Sequence, residues 1–207
     1  MTARDRILAR VRAATAERQA QPAPEHRAAP AQAQSAGERR LSQFMAKLEA
    51  VDATVSRVSS LRELPRALAH ELRNRNLPAA IRHGADADFS GLDWGGIEAT
   101  RGVGRIEEPA TLSRAEFGLA ETGTLVLASG AENPVTLTFL GETHFVVLHE
   151  RDIMAGFEDM WAAYRTRGLN PRTVNMVTGP SRSADIGQVL QLGAHGPVAL
   201  HVFVVAD

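Results

Sequence analysis

Three glycine-bearing stretches hold the residue types that could do chemistry. In Gly118-Leu-Ala-Glu-Thr-Gly-Thr-Leu-Val-Leu127 one carboxylate, Glu121, and two hydroxyls, Thr122 and Thr124, surround Gly123 between apolar runs. Glycine at such a place lets a ligand approach the backbone closely. Glu121 could serve as a general base, a nucleophile or an acceptor for a ligand hydroxyl, given a pKa suited to the task; the plainer reading is a solvated polar turn residue. In the second stretch, Val174 to Gly187, an apolar run breaks at Gly179-Pro180 and passes into Ser181-Arg182-Ser183-Ala184-Asp185, a pattern that predicts the start of a helix reaching to Leu192. Free backbone N–H groups, the positive end of the helix dipole, the Ser181 and Ser183 hydroxyls and the Arg182 guanidinium would together cradle an anion or phosphate. The alternative is ordinary capping, with Ser181 or Ser183 as the cap, Asp185 in the first turn and Arg182 in solvent. The third stretch, Gly193-Ala-His-Gly-Pro197, offers His195, a residue easily poised near neutral pH but more simply used to hold its loop through a backbone hydrogen bond. Glu121 and His195 are thus the catalytic candidates. Thr122, Gly123, Thr124, Gly179, Pro180, Ser181, Arg182, Ser183, Asp185 and Gly196 are the ligand-binding ones, provided the stretches meet in one polar hollow.

Other chemistries are excluded by what is missing. The chain has no cysteine, so it has no disulfide, thiol nucleophile or thiolate-held cluster, and any metal would need histidine and carboxylates. His144 and His149 look like a ligand pair, but residues five apart on a strand point to opposite faces, so no metal site is expected. Neither His-Glu-x-x-His, Gly-x-x-x-x-Gly-Lys nor Gly-x-Gly-x-x-Gly occurs. With 23 Lys plus Arg against 24 Asp plus Glu there is no positive field to hold a nucleic acid. No apolar run approaches the roughly 20 residues that span a bilayer, and the N-terminus mixes charges where a signal peptide would be apolar, so a cytoplasmic protein without a membrane span is expected.

These stretches need a scaffold. Residues 1–18 place Ile7, Leu8, Val11 and Ala14 at helical spacing among five arginines, a short amphipathic helix suited to docking on a partner, on its own domain or on a second copy of the chain. Residues 19–38 are Ala, Gln, Pro, Glu and Ser for the most part and lack the apolar side chains that offset ordering, so they read as a flexible linker. The globular part, 39–207, is long enough for one domain. Its expected helices carry Leu41, Phe44 and Leu48, then Leu61 to Leu72, then Ile153 to Tyr164 over Asp152–Thr166. Its expected strands are 50–58, 79–82, 96–100, 117–120, 124–129, 144–148, 173–177 and 199–205. Strands alternating with helices predict an α/β fold with parallel pairing, helices on both faces and binding loops at the carboxyl ends of strands. Trp94, among glycines, is either a satellite of the core or a stacking platform.

Ala120-Glu-Thr-Gly-Thr-Leu-Val-Leu127, Thr178-Gly-Pro-Ser-Arg-Ser-Ala-Asp-Ile186 and Gly193-Ala-His-Gly-Pro-Val-Ala-Leu-His201 occur in an order and spacing that resemble the lactate-utilisation protein C (LutC/YkgG) family. The resemblance runs from about Glu107 to the C-terminus and more loosely through the N-terminal helix and linker; Gly187 departs from it, standing where many members have an acidic residue. It implies a Rossmann-like sheet flanked by helices, similar to the glucosamine-phosphate isomerase, ribose-phosphate isomerase and CoA-transferase superfamily. It also implies a part in oxidising L-lactate to pyruvate, as an accessory or regulatory subunit. Iron–sulfur clusters would then belong to cysteine-rich partner proteins, with no cofactor in this chain. The superfamily likeness leaves a second reading, an enzyme or sensor for a small phosphorylated or CoA-linked metabolite with Glu121 at its centre.

Overall fold

A computed structural model describes residues 2–16, 29–184, 190–192 and 196–206. In chain order the regular elements are α1 (Ala3–Ala16), α2 (Gly37–Glu49), β1 (Thr54–Val58), α3 (Leu64–Asn74), β2 (Ala80–His83), β3 (Glu98–Arg101), β4 (Ala110–Arg114), β5 (Phe117–Leu119), β6 (Thr124–Ala128), α4 (Val135–Phe139), β7 (Thr143–His149), β8 (Ile153–Met154), α5 (Phe157–Thr166), β9 (Val174–Val177), β10 (Arg182–Ala184), β11 (Leu190–Leu192) and β12 (Ala199–Val205).

Six strands form one sheet in the order β1-β12-β7-β4-β2-β3, and every pairing in it is parallel. The central strands show why: all seven residues of β7, Thr-His-Phe-Val-Val-Leu-His, are buried, as a strand covered on both faces must be. One face carries α3, whose Leu64, Leu68 and Leu72 recur at helical spacing and pack with Ile81, Leu112, Phe145, Val147 and Phe203. The other face packs Val146, Leu148, Val202 and Val204 against Leu41, Phe44 and Leu48 of α2 and against Leu125 and Leu127 of a second sheet. That second sheet, ordered β8-β5-β6-β9, is antiparallel except where β8 joins β5. Its outer face is closed by α5 through Phe117, Leu119, Val126 and Met160. The layers therefore run α3, parallel sheet, α2 with the small sheet, α5, an α/β fold that differs from plain helical layers by inserting a second sheet.

Two sequence expectations change form. The helix anticipated over Asp152–Thr166 begins only at Phe157, because Ile153 and Met154 instead pair their backbone with Gly118 and Leu119. Of the helix anticipated from Ser181 to Leu192, residues 185–189 fall outside the described residues, and the described part is a ribbon in which Arg182, Ser183 and Ala184 pair antiparallel with Leu192, Gln191 and Leu190. Trp94 lies with the core, its ring stacked on His83 at 5.5 Å and packed near Phe89. At the N-terminus α1 buries no residue and leaves Ile7, Leu8 and Val11 exposed. Of the expected linker, 19–28 falls outside the described residues, as do 17 and 18 at the end of the expected helix, whereas Ala33 and Ser35 are buried on the domain.

Candidate functional site

The turn that follows β9 is shaped by Gly179, whose φ of +80° is a left-handed value and whose absent side chain lets the chain pass the Val51 carbonyl; a Cβ there would meet that oxygen at 2.6 Å. Ser181 then donates its backbone N–H to the Pro197 carbonyl at 2.9 Å, which sets the turn beside Gly196-Pro197 at the start of β12. Between this pair of loops, α4 and the amino ends of β7 and β12 lies a cavity of about 200 Å³. Gly179, Pro180, Ser181, Gly196 and Pro197 line it, together with Thr178, Met176, Thr138, Phe139, His144 and Leu200. None of the described lining residues is charged.

Two of these side chains are incompletely satisfied. His144, second residue of β7 and 1% exposed, holds Ser113 Oγ at 3.0 Å through Nε2, while its Nδ1 has no hydrogen-bond partner. Thr138 on α4, 2% exposed, has no partner for Oγ1. Buried polar atoms are nearly always paired, so two orphans on residues that line one cavity are a signal. Burial pushes the His144 pKa down to about 3, so its imidazole is neutral at physiological pH. A third hydroxyl, Thr178, ends a chain in which Thr122 Oγ1 meets Thr124 Oγ1 at 2.7 Å and Thr124 Oγ1 meets Thr178 Oγ1 at 2.7 Å. This chain connects the Glu121-Thr122-Gly123 turn to the cavity. Gly123, at φ +71°, presses that turn onto the backbone of Lys47 and Leu48 in α2.

Other candidates lie elsewhere. Glu121 is not among the lining residues: its N–H donates to the Ala155 carbonyl, and its Oε2 is buried without a partner near the space beside Gly156 and Ala33. Arg182 also stays off the cavity, pairing with Asp52 at 2.9 Å on the surface. Because residues 182–184 form a strand, no helix start follows Pro180 among the described residues; Ser183 contributes its backbone to the ribbon. Asp185 and His195 fall outside the described residues. His144, Thr138 and Thr178 were absent from the sequence-derived ligand set. The available signal was a histidine opening the otherwise apolar run Phe145-Val-Val-Leu148.

The carboxyl edge of the parallel sheet, where loops were expected to bind, is occupied by a charge network. Arg114 at the end of β4 reaches Asp86 at 3.0 Å, Glu116 at 2.8 Å and Asp88 at 3.8 Å; His149 at the end of β7 holds Asp88 at 2.8 Å; Arg167 joins Glu116 and Asp152. Burial opposes the Arg114 charge, but Glu116, Asp86 and Asp88 together hold its pKa above the usual value. The hydrogen bond from His149 lowers the Asp88 carboxyl below its usual range. His144 and His149 diverge as the strand period requires, and among the described residues no group of three metal-ligating side chains converges.

Residues 109–205, which contain β4 through β12, match the LUD domain. Over this stretch, just under half of its length, the chain is similar to the LUD domain. The match spans every lining residue of the cavity, including both orphaned side chains. Lactate utilization protein C from Geobacillus sp. is 30% identical over 150 residues, which cover 70% of this chain and 57% of that protein. Its counterpart in Anoxybacillus flavithermus is 34% identical over 114 residues, covering 53% and 51%. The uncharacterized protein YkgG of Escherichia coli is 28% identical over 119 residues, covering 55% and 52%. The chain thus spans about half the length of the curated relatives it matches. A crystal structure of a DUF162 family protein from Deinococcus radiodurans superposes with a TM-score of 0.61 at 23% identity, over 80% of this chain and 96% of its own, a likeness of fold. No helix of the described residues is long and apolar enough to cross a membrane.

Proposed function

We propose that this protein acts in the cytoplasm in lactate utilisation as a subunit without redox chemistry of its own, alongside cysteine-rich iron–sulfur proteins, and that it holds a small metabolite in the cavity between Gly179–Ser181 and Gly196–Pro197. The single observation that carries this reading is that two of the sequence stretches that resemble the lactate utilisation family line one hollow, together with His144 and Thr138, two residues that carry orphaned polar atoms. The names of the relatives supply the pathway. The lack of any cysteine supports the division of labour, since iron–sulfur clusters need thiolate ligands. The exposed stripe Ile7, Leu8 and Val11 on α1 supports docking on a partner surface. A cavity of about 200 Å³ is smaller than the roughly 300 to 1,000 Å³ of sites for larger cofactors, which does not favour a CoA-linked ligand.

The test is genetic and biochemical. Deleting the gene in its host should abolish growth on L-lactate but not on pyruvate, and the tagged full chain should co-purify with cysteine-rich iron–sulfur proteins from lactate-grown cells. Unimpaired growth on L-lactate together with recovery of the chain alone refutes the reading.

A further inference from the structure

We propose that the cavity takes a small uncharged molecule carrying a hydroxyl, carbonyl or amide group, anchored by His144 and Thr138, and that it discriminates against carboxylates and phosphates. The inference rests on the reading of the cavity as a ligand site. Its first support is charge: the described lining offers hydroxyls, an imidazole and apolar surface, and the nearest arginine on these loops, Arg182, is committed to Asp52 on the surface. Seating an ion in such a lining exchanges full hydration for neutral dipoles, which costs far more than seating an amide or alcohol that is hydrogen-bonded.

The second support is the orphaned pair. Leaving a buried donor or acceptor unsatisfied costs about 1–3 kcal/mol per group, and a ligand that satisfies it recovers that cost. His144 Nδ1 and Thr138 Oγ1 are two such groups, both on residues that line the cavity. Because Ser113 Oγ can give or take the hydrogen bond at Nε2, Nδ1 is free to be either acceptor or donor, and Thr138 and Thr178 are hydroxyls with the same latitude. Nothing in this arrangement requires a counter-charge. The imidazole is held neutral by burial, so it adds none. A hollow of about 200 Å³ has the volume of roughly six or seven liquid waters, enough for a compound of a few carbons.

L-lactamide and L-lactate form the decisive probe pair, because they have nearly the same shape and differ in charge. Titrating each into the full chain at pH 7.5 by calorimetry, with inorganic phosphate as a third arm, should show L-lactamide binding at least tenfold more tightly than either anion. Thr138→Val should weaken L-lactamide at least fivefold while leaving the thermal midpoint unchanged or higher, since a hydroxyl without a partner is being removed. His144→Phe should abolish L-lactamide binding, and Thr138→Val covers the case in which that core change unfolds the chain. The proposal is overturned if L-lactate or phosphate binds as tightly as L-lactamide and is weakened by Thr138→Val, or if neither L-lactamide nor 1,2-propanediol binds at all. A carboxylate in the cavity would leave the place in lactate utilisation standing and remove only this inference; normal growth of the deletion strain would do the reverse.

Discussion

Replacing Arg114 by Met removes the cation that holds three carboxylates together at the carboxyl edge of the parallel sheet. Its side chain is 20% exposed, and those of Asp86, Glu116 and Asp88 are 8%, 16% and 25% exposed, so the cluster is well shielded from water. At an effective dielectric near 20, each contact of 3–4 Å has a gross attraction of about 4 kcal/mol, most of it offset by the desolvation of both partners. Removing one partner of a buried pair leaves the desolvation uncompensated, and such changes destabilise by about 3–5 kcal/mol. Arg167 still reaches Glu116, so the low end, about 3 kcal/mol, is expected. Urea unfolding of wild type and Arg114→Met at pH 7.5 and pH 5 measures it. In the variant the three carboxylates repel one another with less counter-charge, so the destabilisation is greatest at high pH and shrinks on acidification. A loss below about 1 kcal/mol at pH 7.5 would match an ordinary exposed ion pair and refute the argument, as would a loss that stays constant between the two pH values.

Two further outcomes follow from the same geometry. Burial lowers the pKa of both His144 and His201 to about 3, so the unfolded chain takes up protons near pH 6.5 that the folded chain refuses; stability falls as pH drops from about 6.5 toward 3, by roughly 2 kcal/mol per histidine at pH 5, and His201→Gln should flatten the stability–pH curve over that range. Gly179→Ala combines a left-handed φ of +80° with a 2.6 Å approach to the Val51 carbonyl, so it should lower stability by about 2 kcal/mol and weaken whatever binds beside Pro180, read by thermal unfolding and calorimetry.

Much of the scaffold could be read from residue order. Leu64, Leu68 and Leu72 announce α3, and the unbroken apolar runs of β7 and β12 announce central strands of a parallel sheet. By contrast β4, Ala-Thr-Leu-Ser-Arg, alternates too weakly to declare itself, and it becomes a strand because β7 and β2 flank it. Ser181 to Ala184 has the local chemistry of a helix start, but contacts outside that segment hold it as turn and strand. Ser181 is fixed by Pro197, and Arg182 by Asp52, which is 130 positions earlier. The candidate site was legible as glycine turns, since those carry their own constraint. His144 and Thr138 were not, because what marks them is the absence of a partner, which exists only once Ser113, α4 and the two loops are in place.

The three threonine hydroxyls behind the cavity have a polarity. Each has one proton, so if Thr178 gives its proton to an occupant, the bond between Thr124 and Thr178 requires Thr124 to donate, and Thr122 must then donate to Thr124. An occupant that instead donates to Thr178 leaves its proton available to Thr124, and the row can reverse. Whether the guest is an acceptor or a donor is thereby relayed to the turn at Gly123, which rests on the backbone of α2.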